Sequence, residues 1–358
     1  MKTMRWTLPV VVVAGMMVAG CATTRGGALR GDEAWRGVHV YVSNRAELPM
    51  LHRALREVFA PAGVNVLVLE VDYAFQFASH PELASSKGLT KEDAHALAAL
   101  CRELGIRLIP EFNCFGHQGS RPNILLSKYP ELMVPKAPDY ESPSHYHVSW
   151  NPLDPKTNEI VFALIGELID AFEVDAFHVG LDEVMYFPDE STSYYHGESH
   201  AEVFAKVVND LHGFVVDEKG LTMLMWGDRL LDSKVMRYGS YEASAVDTAS
   251  AIDAIPKDIV ICDWHYMRRK DYPSLTHFQD HGFRVWPTSW RSASAGLALW
   301  NCAHGKASTE RMLGHLTSSW CGLEPFCYAV LREKLDNINH NAVRAGETFH
   351  AIAAVWND

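Results

Sequence analysis

Eight short apolar runs, spaced so that a helix fits between each pair, constrain this chain more than any other feature. They lie at residues 37–42, 64–71, 106–112, 174–180, 221–226, 258–264, 283–288 and 315–320. Each has the length of a strand and is apolar on both faces rather than alternating, the pattern of strands covered on both sides. Helical spacing fills the gaps at 45–60, 156–172, 198–218 and 323–340, with shorter helices near 246–254 and 273–281. Thr90-Lys91-Glu92-Asp93 forms a capping box before a further helix that Gly105 stops. Repeated strand then helix predicts a (β/α)8 TIM barrel as a single domain. The competitor is an open doubly wound sheet, which brings a glycine-rich nucleotide turn after its first strand; none is present.

The first residues read as a processing signal rather than as fold. Lys2 and Arg5 precede an apolar core at 7–19, and Val18-Ala19-Gly20-Cys21 has the form of a bacterial lipobox. The expectation is a lipoprotein signal peptide at 1–20, lipidation of Cys21, a tether at 21–35 and a catalytic barrel at 36–358. Acyl chains on Cys21 would hold the protein to a membrane, each buried methylene contributing roughly 0.8 kcal/mol. That places it in the bacterial cell envelope. The net charge of −12 and the lack of a basic run argue against a nucleic-acid partner. Beyond Cys21, the cysteines at 101, 114, 262, 302, 321 and 327 show no CxxC spacing and sit mostly in apolar runs, so free buried thiols are expected.

Function in a parallel barrel gathers where the strands end. The fourth strand runs into Gly180-Leu181-Asp182-Glu183. Two acids held close together cannot both ionise easily, so one becomes a proton donor near neutral pH. The other predicted strand ends carry Glu70 and Asp72, Glu111 with Asn113 and His117, Trp226 and Asp228, and Asp263, Trp264, His265 and Tyr266. Trp286, Trp290 and Trp320 follow. Indoles suit the apolar faces of a sugar ring, and acids and amides suit its hydroxyls. Neighbouring strand residues point to opposite sides, so Asp182 and Glu183 can share a site only if the backbone bends there.

Several motifs in order resemble the β-N-acetylhexosaminidases of glycoside hydrolase family 20, over about residues 36–325. Leu89-Thr90-Lys91-Glu92-Asp93, then Gly105 through Pro110-Glu111, then Gly116-His117, is similar to the family's helix, third strand and Pro-Gly-His segment. Leu153-Asp154-Pro155 and His178-x-Gly180-x-Asp182-Glu183 match its most specific signature. The resemblance implies a glycosidase removing terminal β-linked N-acetylhexosamine from a glycan with retention. The substrate's own acetamido carbonyl would attack the anomeric carbon to give an oxazolinium intermediate. It implies that Asp182 orients the acetamido group and Glu183 is the acid–base. Arg36, Asp72 and His117 would contact the sugar, with Trp226, Trp264 and Trp320 as walls, and His178 would be structural. No cofactor or metal is required.

Departures from the family pattern are specific. Leu181 stands where the family has a second Gly, and Asn113 where it has Asp. The seventh strand, Val285 to Trp290, lacks the Tyr-x-Asp, for which Tyr266 is a possible stand-in, and the nearest acid after Trp320 is Glu324. Altered recognition of sugar hydroxyls is therefore expected. Two other readings remain open on sequence. One is a metal-dependent sugar isomerase or lyase using donors among Glu70, Asp72, Glu111, His117, Asp182, Asp228, Asp263 and His265, with His196 and His200 as a weaker hint. The other is a glycan-binding lipoprotein without turnover.

Overall fold

The computed structural model describes residues 34–119, 124–134, 148–188, 195–305 and 307–356. The expected signal peptide, Cys21 and most of the tether lie outside them. Eight parallel strands close into a barrel in sequence order, β1 hydrogen-bonding to both β2 and β8. The strands are β1 (Trp35–Tyr41), β2 (Val66–Glu70), β3 (Arg107–Cys114), β4 (Ala176–Gly180), β5 (Thr222–Trp226), β6 (Val260–Trp264), β7 (Arg284–Ser289) and β8 (Gly314–Thr317). All eight fall on the predicted apolar runs.

Helices α1 (Leu48–Ala54), α2 (Lys91–Glu103), α3 (Ile124–Lys128), α4 (Pro155–Phe172), α5 (His200–His212), α6 (Ser233–Met236), α7 (Pro273–Asp280), α8 (Ala293–His304), α9 (Leu323–Leu331) and α10 (His340–Val355) join the strands or follow the last. The capping box predicted for α2 is present: Thr90 Oγ1 accepts from the Asp93 N–H, and Asp93 Oδ2 accepts from the Thr90 N–H. The helix expected over 323–340 instead breaks after Leu331, where Arg332 takes a left-handed conformation, and Asn339 caps a new helix. Helix α8 escaped prediction because its Ala- and Gly-rich run has weak periodicity. That smallness serves packing: a Cβ on Gly296 would meet Ser289 Oγ at 3.0 Å and Ile352 Cδ1 at 3.3 Å.

Strand alternation divides the apolar side chains into two clusters. Val38, Val40, Leu67, Leu69, Phe177, Val179 and Ile261 face the surrounding helices. Val66, Val68, Ile109, Leu224, Trp226, Val260, Trp286 and Leu316 fill the barrel. Trp286 is part of this filling and not of the sugar wall that the sequence suggested. It is fully buried, lies edge-on to Trp35 at 5.2 Å, and donates its indole N–H to the Trp35 carbonyl (3.1 Å). Only glycine at position 37 leaves it room, since a Cβ there would sit 2.2 Å from the Trp286 ring. The six cysteines named above are free, five of them buried and Cys321 partly so, as expected.

Candidate active site

The acid pair owes its geometry to a backbone that stops behaving as a strand. Pairing between β3 and β4 shifts register, Glu111 lying opposite His178 but Cys114 opposite Gly180. Gly180 then takes φ +68°, Leu181 φ +74° and Glu183 φ +49°. A Cβ on Gly180 would meet Asn113 Oδ1 at 2.4 Å, so glycine is required there. Leu181 has no such excuse, and a left-handed conformation costs a non-glycine residue roughly 1–2 kcal/mol. Its fully buried side chain offsets this by about as much, which is how a residue other than glycine occupies the position.

The bend turns both carboxylates toward one imidazole. His117 Nε2 lies 3.2 Å from Asp182 Oδ2 and 3.2 Å from Glu183 Oε2. His117 itself sits at φ +56°, beyond the end of β3. Burial disfavours its charged form, but the two carboxylates outweigh that and raise it to about 10, so it is a cation at neutral pH. Burial pushes Asp182 up, yet the His117 charge and the hydrogen bonds from His117 and Asn113 hold it below its ordinary value. Glu183 ends raised, first by burial and then by the Asp182 and Asp228 charges, against the pull of His117. One cation, one carboxylate and one acid that retains its proton above the usual range thus share a small volume.

Three neighbours fix the pair. Asn113 Nδ2 donates to Asp182 Oδ1 (2.9 Å). Asp72 Oδ1 accepts from the Asn113 backbone N–H (2.8 Å), so this oxygen holds the end of β3 rather than a sugar hydroxyl. Asp228 Oδ2 accepts from the Glu183 backbone N–H (2.9 Å) and its Oδ1 from Trp264 Nε1 (3.0 Å). Arg229 Nε donates to the same carboxylate (2.6 Å), while its Nη2 donates to the carbonyls of Ser240 and Tyr241. Arg229 was not among the residues picked out for the site, and Asp228 was named only at a strand end and as a metal donor. An acid followed by an arginine, two residues past a strand end, was the available signal.

The aromatic side differs from expectation. Trp264 and Trp320 reach the mouth, with Tyr266 stacked on Trp264 at 4.8 Å and edge-on to Trp290 at 5.3 Å. Trp320 Nε1 donates to the Tyr266 hydroxyl (2.8 Å). An indole N–H can only donate, so the phenol oxygen accepts and its own proton is left to point elsewhere. The charges of Glu183 and Asp182 are felt at this phenol, which burial already pushes far up. Trp226, by contrast, is fully buried and gives its N–H to Glu111 Oε1 (2.8 Å), so it supports the wall from beneath and is no sugar contact. Arg36 is also corrected. It lies at the start of β1, beside His315 of β8, with its guanidinium donating to the Gly63 carbonyl, at the barrel base opposite the acids. A residue at the start of a strand cannot reach the end at which a parallel barrel gathers its site.

The donors of the metal reading do not meet at one site but divide among separate clusters. Among the described residues, two groups bring three ligand atoms within 4.8 Å of one another: His117 with Asp182 and Glu183, and His39 with Glu70 and Glu111 inside the barrel. Asp263 and His265 belong to a separate cluster with Ser274. His200 begins α5 with its ring nitrogens at the carbonyls of Val246 and Pro188.

Comparison with known proteins agrees with the geometry. A lacto-N-biosidase of Bifidobacterium bifidum is 24% identical over 217 residues, 58% of this chain but only 17% of that enzyme. A chitobiase from Flavobacterium johnsoniae has a similar fold (TM-score 0.62, 16% identity), the match covering 90% of this chain and 52% of the other. An exo-β-N-acetylglucosaminidase of Vibrio harveyi gives a TM-score of 0.61 at 14% identity, covering 91% and 58%. This chain therefore spans about half the length of these solved relatives, and the likeness to them carries the fold alone. The catalytic-domain model of glycosyl hydrolase family 20 matches residues 69–287, from the end of β2 into β7, and includes both acids and His117. The chain belongs to glycosyl hydrolase family 20.

Proposed function

We propose that the protein hydrolyses terminal β-linked N-acetylhexosamine from glycans by a retaining, substrate-assisted route. The observation that carries this is the convergence of Asp182 and Glu183 on His117, with the first acid held low and the second raised. Glu183 donates its proton to the leaving glycosidic oxygen as the acetamido carbonyl oxygen forms a bond to the anomeric carbon. Asp182 accepts from the acetamido N–H and stabilises the positive charge that grows on the resulting oxazolinium. Water then adds to the anomeric carbon, Glu183 takes its proton, and the ring opens to regenerate the acetamide. The Tyr266 hydroxyl, which also meets Ser318, is suited to the acetamido oxygen, and Trp264 and Trp320 to the sugar's apolar face.

Activity on a chromogenic N-acetyl-β-glucosaminide, lost in Glu183→Gln with the fold retained, tests the reading. Saturable glycan binding without turnover in the unmodified protein would replace it with a carbohydrate-binding barrel.

For the N-terminus, we propose cleavage before Cys21 and acylation of its thiol and amino group, anchoring the enzyme in a bacterial envelope. The support is the lipobox sequence Val18-Ala19-Gly20-Cys21. Mass spectrometry of the N-terminal peptide should find acyl chains on Cys21, and Cys21→Ser should release the protein from membranes. An unmodified Cys21 would refute the anchor.

A further inference from the structure

Beneath the sugar wall lies a charged group that the proposed chemistry does not use. His39 of β1 points into the barrel, wholly buried, with Nε2 at 3.4 Å from Glu70 Oε2 and 3.2 Å from Glu111 Oε2. Glu111 also meets His178 Nδ1 at 3.1 Å and accepts from Trp226. The imidazoles beside Glu111 are thus drawn from β1 and β4. The His39 ring packs on Trp320 with centroids 4.5 Å apart, and edge-on to Trp226 at 5.7 Å. Trp320 in turn holds Tyr266. A continuous path of contacts therefore runs from the buried carboxylates, through one imidazole, to the phenol that faces the acid pair.

We propose that His39 is a positioning residue for the reaction, coupling the buried carboxylates of the barrel to the aromatic wall through Trp320. This rests on the glycosidase reading above. Buried carboxylates need a counter-cation, and His39 fills that need. Burial disfavours its charge, but Glu111 and Glu70 more than compensate and raise it to about 9. As a cation against the Trp320 ring it holds the indole by an attraction that a neutral side chain lacks. It also offsets the Glu111 charge, which bears on Asp182 from below and would otherwise raise that acid. The groups facing His39 are Glu70 on β2, Glu111 on β3, Trp226 on β5 and Trp320 after β8, with His178 on β4 reaching it through Glu111.

Two consequences separate this role from plain packing. His39→Gln keeps a polar side chain of similar reach but loses the charge. Its KM for the chromogenic N-acetylglucosaminide should rise about tenfold as Trp320 and Tyr266 lose their seat, with a smaller effect on kcat. The acidic limb of its pH–rate profile should move up, because Glu111 is no longer offset beside Asp182. Wild-type KM and an unshifted profile in a folded His39→Gln protein would overturn the proposal.

Nuclear magnetic resonance of the unmodified protein decides the matter without turnover or a variant. At neutral pH the His39 ring should carry protons on both nitrogens, and its titration should be accompanied by movement of the Trp320 indole resonance. A neutral His39 ring, or a stoichiometric divalent ion found between His39, Glu70 and Glu111 by elemental analysis, would refute it. Absence of hydrolysis by the wild type, with the doubly protonated ring observed, would count against the glycosidase reading and leave the coupling in place.

Discussion

Two imidazoles in this barrel have nearly the same partners and opposite prospects. His117 lies between Asp182 and Glu183 at the mouth, raised to about 10. His265, after β6, meets Glu242 at 2.8 Å and Asp263 at 3.2 Å, and is raised to about 9. Its Nε2 also lies 2.8 Å from Ser274 Oγ, so serine, histidine and glutamate line up as in a hydrolytic triad. Yet Ser274 donates its proton to Asp263 (2.7 Å), Arg269 pairs with Glu242, and His265 and Ser274 are wholly buried. His117 keeps 14% of its side-chain surface and Glu183 13%. Distances and charge do not distinguish a reactive cluster from a structural one. Access, and an acid with a proton still to give, do.

The sharpest way to break this contrast is at Glu183. Glu183→Gln should lower kcat at least a hundredfold, with unchanged circular dichroism, because the leaving group loses its proton donor. Activity near the wild-type level would remove the mouth cluster from the chemistry. Asn113→Asp should act less strongly. A second negative charge beside Asp182 raises that carboxyl, so the acidic limb of the rate profile should shift upward and kcat/KM fall about tenfold. An unmoved limb would mean that Asp182 does not need its charge.

Stability should vary with pH at both imidazoles in the same sense. Their folded values lie above the unfolded 6.5, so the protonated forms favour the native state. This stabilisation is complete below about pH 6.5 and is lost as pH climbs through 9 and then 10. Melting temperature should therefore decline across that alkaline window, and a flat profile would show that neither ring is charged in the fold. The smallest effect on catalysis is expected at Ser274→Ala. Leaving Asp263 and His265 short of a partner should cost about 1–3 kcal/mol, seen as a drop in melting temperature. Turnover should not change, and lost turnover would make the second cluster functional.

Recognition of the site from sequence was uneven for physical reasons. Asp182, Glu183 and His117 were legible because they follow strand ends closely, and the barrel fixes which end faces the mouth. Trp226 and Trp286 were misplaced because an indole at a strand end looks the same whether it turns into the barrel or lines the opening. Arg36 was misplaced because it is the second residue of its strand, which puts it at the other end. Asp228 acts on the backbone of Glu183, forty-five positions away in the chain, and only the closed barrel brings the two together.

By itself the sequence determined eight strands, most of their helices and the pair of acids, because those follow from local pattern: apolar runs, caps and adjacent carboxylates. What tertiary structure alone decided was which oxygen meets which nitrogen. The left-handed turn at Gly180 and Leu181 swings neighbouring acids onto one histidine. The inward face of β1 sets His39 under the sugar wall. Side-chain direction changes with every residue along a strand and again wherever the strand bends, so contacts of this kind exist only once the barrel has closed.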